Sequence, residues 1–250
     1  MIIGAADATG LALLYHLNSG AWGRGGVEFD PNSAPARKAV PDPHPIALEN
    51  AVPVSEVAAV AARRQSCRHY AARAMPLATA STLLYSCYGI TELRYETASW
   101  ARWGRVVPSA GGLYPLEVYV AMRNMEGVPD GVFHYEPIQG CLASLSRCRR
   151  DDIEQAMFVP AFTANANMLI MLAGTFATTQ SKYGPRGYRY MLIEAGHCAQ
   201  NLCLVATELG CGSLCLGGFD DDLLNRALGL RVPEEAVLYC IAVGFPDATG

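Results

Sequence analysis

Residues 182–210 read KYGPRGYRYMLIEAGHCAQNLCLVATELG, and the second part of this stretch carries the strongest periodicity in the chain. Met191, Ala195, Cys198, Leu202, Val205 and Leu209 recur at alternating intervals of four and three, the spacing that lines one face of a helix. A second row, Leu192, Gly196, Ala199, Cys203, Ala206 and Gly210, keeps the same spacing and is mostly small. The pattern predicts a central helix over Gly187–Gly210, buried on most of its circumference and capped by Gly210. The small row lets another helix come close. Spacing alone leaves open whether that partner lies in the same chain or in a second copy.

Outward from this helix, Leu116–Met122, Val132–Tyr135, Met168–Phe176 and Val237–Val243 are rich in β-branched and apolar residues and read as strands. A helix is expected from Ser55, with Val57, Val60 and Ala61 at helical spacing, and a second from Pro76 to near Gly89. Residues 91–107, aromatic and charged with Trp100 and Trp103, read as a loop. Helices and strands intermingle with few β-α-β periods, so the expectation is an α+β layered fold. Before it, residues 1–22 suggest a short helix, and six of the fifteen prolines lie between Pro31 and Pro53. The organisation is read as an N-terminal helix and Pro-rich arm over 1–54, then one domain over 55–250.

Composition narrows the function classes. Of 250 residues, 51% are hydrophobic and 17% charged, enough apolar material for a large core and too much for a disordered chain. A net charge of −4 leaves no electrostatic footprint for nucleic acid. The charge-free run Gln155–Ser181 is long enough to span a bilayer, but Pro160, Asn165 and Asn167 interrupt it and a buried strand is the better reading. Met1–Leu17 is apolar but carries Asp7 and no basic n-region, so a signal peptide is not expected. The nine cysteines contain no C-x-x-C, and the spacing of Cys198, Cys203, Cys211 and Cys215 fits no zinc pattern. Buried free thiols in a reduced cytoplasm are expected, and no metal site.

Four segments carry candidate chemistry. Arg63, Arg64, Ser66 and Arg68 place three guanidiniums and a hydroxyl at a helix end, suited either to a phosphate or to plain solvation. Pro108-Ser109-Ala110-Gly111-Gly112-Leu113-Tyr114-Pro115 is either a tight turn or a loop whose backbone lies against a flat ligand. Gly217-Gly218 follows Gly210 and Gly212, but it comes after a helix instead of between strand and helix, which excludes a Rossmann site. Seventeen of the nineteen basic residues are Arg, and one of the two lysines is Lys182. Arg stays protonated in a protein, whereas a desolvated Lys, or one near other cations such as Arg186 and Arg189, can act as a base. Lys182 with Tyr183 is therefore a candidate proton-transfer pair, against the alternative of a solvated surface turn.

Taken in order, Arg63-Arg64-x-Ser66-x-Arg68, PSAGGLYP, KYGPRGYRY leading into EAGH, and LGGFDDD resemble the SagB-type dehydrogenases, a branch of the FMN-dependent nitroreductase superfamily. The resemblance covers roughly residues 55 to 245 and weakly includes Leu14-Tyr15-His16-Leu17-Asn18-Ser19. It implies a homodimer with a mostly antiparallel central sheet flanked by helices, the long helix at the dimer interface, and FMN at each interface. By the same resemblance Arg63, Arg64, Ser66 and Arg68 would hold the FMN phosphate and ribityl chain. Pro108, Ser109, Ala110, Gly111 and Gly112 would lie against the isoalloxazine, with Gly217 and Gly218 on its other side. Lys182 and Tyr183 match the pair associated with oxidation of thiazolines and oxazolines, on a peptide or carrier, to thiazoles and oxazoles. Molecular oxygen would reoxidise the flavin, and a cyclodehydratase complex is an expected partner. A flavin oxidase or reductase for another small metabolite, or a flavin-binding subunit without turnover, are the alternatives.

Overall fold

The computed structural model describes residues 55–96 and 101–248, with Gly10, Leu14–His16, Ser19, His44 and Ile46 before them. The rest of the expected N-terminal helix and Pro-rich arm lies outside the described residues, as does Trp100. In chain order the helices are α1 (Glu56–Arg63), α2 (Leu77–Tyr88), α3 (Arg150–Gln155), α4 (Phe176–Tyr183), α5 (Arg186–Glu208) and α6 (Asp221–Leu228). The strands are β1 (Ile90–Glu96), β2 (Ala101–Arg105), β3 (Leu116–Met122), β4 (Gly131–Glu136), β5 (Cys141–Ser144), β6 (Met168–Thr175), β7 (Gly212–Leu216) and β8 (Glu235–Gly244).

Six strands form one sheet in the order β5-β4-β3-β6-β8-β7, and every ladder in it is antiparallel. The apolar run read as a membrane-length candidate becomes β6 at its centre, buried at seven of eight positions. Side chains alternate across a strand, and β6 serves both faces. Met168, Ile170 and Leu172 join Leu83, Leu84, Ala195, Cys198 and Leu202 of α2 and α5 on one side. Leu169, Met171 and Ala173 meet Ile153 of α3 and Leu224 of α6 on the other. Among the described residues no helix is long and apolar enough to cross a membrane.

Several expectations need correction. Residues 91–107 are not a loop: β1 and β2 pair as a separate antiparallel hairpin. Their sequence hides this because β1 is exposed at nearly every position and so carries no apolar alternation. Phe176 opens α4 instead of closing β6. The long helix is not buried all round. Met191, Ala195, Cys198 and Leu202 face the core, but Leu192 and Ile193 are 37% and 48% exposed, with Gly196 beside them. Its small row therefore splits, Ala199, Cys203 and Ala206 buried and Leu192, Gly196 and Gly210 open. Of the nine free thiols, Cys141 and Cys215 are exposed, contrary to a uniformly buried set.

Candidate active site

The loop 108–115 is held open by its own polar atoms. Gly111 and Gly112 take φ of +63° and +61°, and Tyr114 takes +49°, a region that costs any residue with a Cβ. The Ser109 hydroxyl accepts the Tyr114 N–H at 2.9 Å, and the Tyr114 hydroxyl accepts the Arg105 N–H at 3.3 Å. Lys182 lies in the last turn of α4, which stops at Gly184 with φ +55°. The fold brings these distant segments into contact. A Cβ placed on Gly111 would lie 2.6 Å from Tyr183 Oη and 2.7 Å from Lys182 Nζ. Lys182 Nζ also stands 5.4 Å from the centre of the Tyr183 ring. A cleft of about 600 Å³ opens here, lined by Arg94, Tyr95 and Trp103 of the hairpin with Gly111, Gly112 and Lys182. Lys182 is exposed within the chain, so desolvation of its amine must come from whatever fills or covers the cleft.

Beneath this loop sits a charged cluster that sequence reading did not single out. Glu194 of α5 is 2% exposed, and Tyr88 Oη donates to its Oε1 at 2.8 Å. Among the described residues its Oε2 has no partner within hydrogen-bond geometry, and Ser109 is its polar neighbour. Burial raises the Glu194 pKa, while Ser109, Tyr88 and Arg105 pull it back. Arg105 stacks 4.2 Å from the Tyr88 ring centre and donates from Nη1 to the Tyr88 carbonyl at 2.9 Å. The signal in sequence was a lone Glu on the apolar side of a helix, which needs a buried partner to be stable.

The basic segment belongs to the other end of α5. Arg63 ends α1 and Arg64 follows as its cap. Ser66 bridges Ser213 of β7, and the Cys67 N–H donates to the Ser213 carbonyl at 3.0 Å. Gly212 allows this approach, since a Cβ there would lie 2.5 Å from Cys67 Sγ. Gly217 and Gly218 follow β7 and precede α6, so contrary to the sequence reading the pair does lie between a strand and a helix, in an antiparallel sheet and not a Rossmann unit. A Cβ on Gly217 would meet open space, and the Gly218 carbonyl accepts the Phe158 N–H at 3.4 Å. Among the described residues Arg63, Arg64 and Arg68 have no carboxylate partner, and the Arg68 guanidinium lies 5.8 Å from the Phe162 ring centre. Three unpaired guanidiniums, a hydroxyl and an open glycine backbone suit the phosphate end of a planar cofactor.

The candidate residues thus form two groups. Ser109 of the loop that meets Lys182 and Tyr183 stands near Glu194 on α5, and Arg64 of the basic segment stands near Cys203, with Gly217 and Gly218 following β7. At 1.5 Å per residue those two positions are about 14 Å apart along the helix. A larger cleft of about 840 Å³ is lined by Tyr183 with Arg186, Tyr188 and Arg189 and the exposed Leu192 and Ile193. Here His16 Nδ1 lies 3.0 Å from the Tyr188 hydroxyl, which ties the start of the chain to α5.

An antiparallel α+β sheet with two glycine loops and a basic segment around one long helix defines a class, and comparison with known proteins gives it a name. The nitroreductase family pattern matches residues 61–245, and the chain belongs to that family of oxidoreductases. The motifs that resemble the SagB-type branch, at residues 63–68, 108–115 and 182–190, all fall inside that match. It is 34% identical over 173 residues to MJ1384 of Methanocaldococcus jannaschii, a protein named as a nitroreductase, covering 68% of this chain and 82% of that one. It is 28% identical over 132 residues to the microcin B17-processing protein McbC of Escherichia coli, covering 50% of this chain and 48% of McbC. The aligned stretch thus spans about half of McbC. Among solved structures, the E. coli microcin synthetase McbBCD complex with truncated pro-MccB17 bound matches with a TM-score of 0.75, at 20% identity over 97% of this chain and 94% of that one. A nitroreductase in complex with FMN from Desulfovibrio desulfuricans matches with a TM-score of 0.53, at 18% identity over 78% of this chain and 89% of that one.

Proposed function

We propose that the protein is an FMN-dependent dehydrogenase that oxidises thiazoline or oxazoline rings of a peptide or carrier-bound intermediate to thiazoles or oxazoles. The observation that carries this reading is the contact between Gly111 and the Lys182-Tyr183 pair. It sets a basic amine and a phenol against the loop expected to face a flat cofactor. Similarity to the microcin B17-processing protein supports the same substrate class.

In this reading Arg63, Arg64, Ser66 and Arg68 hold the cofactor phosphate and ribityl chain, and Gly217 and Gly218 offer backbone beside it. Pro108, Ser109, Ala110, Gly111 and Gly112 lie along the ring system. Bound FMN supplies the two-electron acceptor for the departing hydride. Lys182 takes the acidic ring proton next to the carbonyl at its Nζ, and Tyr183 orients that amine. Trp103 and Tyr95 of the hairpin wall the cleft against water. Cofactor, substrate and a second subunit together supply the desolvation that the single chain lacks. The second subunit is a copy of this chain docked on the open face of α5, which would bring the phosphate-binding group of one copy towards the ring-facing loop of the other. Molecular oxygen would be the terminal electron acceptor, and the protein would work in the cytoplasm with a cyclodehydratase complex that makes the ring.

Purified protein is expected to be yellow, with flavin absorption bands released on denaturation. Turnover is expected on a peptide carrying an azoline, read as the azole by mass spectrometry. Lys182→Arg keeps the charge and loses the base, so turnover should fall by about 10²-fold or more with the flavin retained. A wild-type rate in that variant overturns the role of Lys182, and a colourless protein that takes up no FMN overturns the reading. The MJ1384 similarity favours a second reading, reduction of a small nitro compound. Reduction driven by a nicotinamide, with azoline peptides untouched, would establish it.

A further inference from the structure

Two cysteines outside the proposed catalytic pair are placed as reacting thiols are. Cys203 lies on the buried side of α5, 4% exposed, and Cys215 lies on β7 with its side chain exposed. Their sulfurs stand 3.6 Å apart. The two thiols share one hydrogen-bond contact, and the Tyr239 hydroxyl and Arg64 are the other polar neighbours that act on the Cys215 sulfur. These three neighbours stabilise negative charge on that sulfur and hold its pKa below the ordinary thiol value. Cys203 is pushed the opposite way by its contact with Cys215 and by burial. A thiol made acidic and exposed, backed by a second thiol within reach, is the arrangement of a reactive and a resolving cysteine.

We propose that Cys203 and Cys215 form a peroxide-reactive dithiol, with Cys215 attacking and Cys203 resolving, that closes to a disulfide between α5 and β7. The Cys215 thiolate attacks one oxygen of a hydroperoxide. An S–O bond forms, the O–O bond breaks, and the leaving hydroxide takes a proton to become water or, for an organic peroxide, the alcohol. The Cys203 sulfur then attacks the Cys215 sulfenic acid. An S–S bond forms, the S–O bond breaks, and the hydroxide leaves with the Cys203 proton as a second water. Two thiols lose two electrons in all, and the peroxide gains them. The sulfurs need to close from 3.6 Å to the roughly 2.05 Å of a disulfide, a movement that side-chain rotation on the exposed Cys215 can supply. Hydrogen peroxide is what an oxygen-reoxidised flavin releases, so the proposed catalysis would generate an oxidant of this class within the same protein. The reactivity of the dithiol itself does not rest on that reading.

The test uses the full-length protein, folded and as purified, with hydrogen peroxide added from outside so that it stands or falls apart from azoline turnover. After brief treatment, free thiols are alkylated and the digest is read by mass spectrometry. The expected result is a peptide pair linked through Cys203 and Cys215, formed about tenfold or more faster than any oxidation of Cys141, the other exposed thiol. In Cys203→Ser, the Cys215 sulfenic acid should persist and be trapped by dimedone. Oxidation of Cys141 as fast as Cys215, or loss of the Cys215 thiol in the wild type without the linked peptide, overturns the proposal. If the buried substitution prevents folding, the wild-type map decides alone.

Discussion

At the scale of single residues, Gly111 joins the loop 108–112 to the Lys182-Tyr183 pair in the proposed ring-facing site. Its φ of +63° and the 2.6 Å approach of Tyr183 Oη leave no room for a methyl group. Gly111→Ala is expected to cost about 1 kcal/mol of stability. Its effect on turnover should be larger, because the loop or the Lys182-Tyr183 pair must move aside. Thermal denaturation beside steady-state turnover separates the two, and an unchanged rate would mean that the contact does not position the pair. Glu194 gives a pH prediction. Burial raises its folded pKa above the ordinary carboxylate value, so in the window between the two the native state keeps a proton that the unfolded chain releases. That contribution is complete below the unfolded pKa and declines as pH rises through the folded one. Glu194→Gln keeps an acceptor for Tyr88 and has no charge to bury. Its Tm should exceed that of the wild type at neutral pH, and the difference should shrink as the medium is made acid. A wild-type Tm at every pH would show that Glu194 is not strained. Residue types and spacing made Lys182 and the glycines legible. Glu194 and Arg105 were not, because their meaning rests on contacts across the fold, Tyr88 to Glu194 foremost.

Among the elements, α6 shows what local chemistry determines. Asp220 caps it, accepting the Leu223 N–H at 2.9 Å, with Asp221 and Asp222 in the first turn and Gly229 at φ +72° beyond the last. The acidic run quoted from the sequence is thus a helix start as well as a motif. Asp220→Ala should destabilise the protein by about 1 kcal/mol, measurable by denaturant midpoint. A change below a few tenths would mean that α6 is held by packing alone. The strands β3 and β6 and the helix α5 could be read directly, since burial on one or both faces writes an apolar pattern. The β1–β2 hairpin could not, because its residues face solvent and cleft. Short β5 and the small residues of β7 likewise gave no alternation to find, although β7 carries the approach to Ser66 and Gly217.

For the molecule as a whole, the open face of α5 is the largest mismatch between the periodicity and the single chain. Leu192 and Ile193 are exposed apolar residues beside Gly196, and a second copy docked there would bury them. Replacing both with Glu is expected to convert a dimer to a monomer by light scattering and to release flavin. A dimer that keeps its flavin would place the interface elsewhere. The order of the sheet also bears on how the protein comes to exist. The central strand β6 pairs with β8, Met168 opposite Val243, and two helices, an edge strand and a third helix intervene in the chain. Contacts so distant along the backbone must pay their loop-closure entropy before they return any burial, and they slow folding. During synthesis β6 leaves the ribosome with one ladder edge unpaired until β8 follows. For that interval the most apolar strand of the molecule is a target for chaperones and a seed for aggregation.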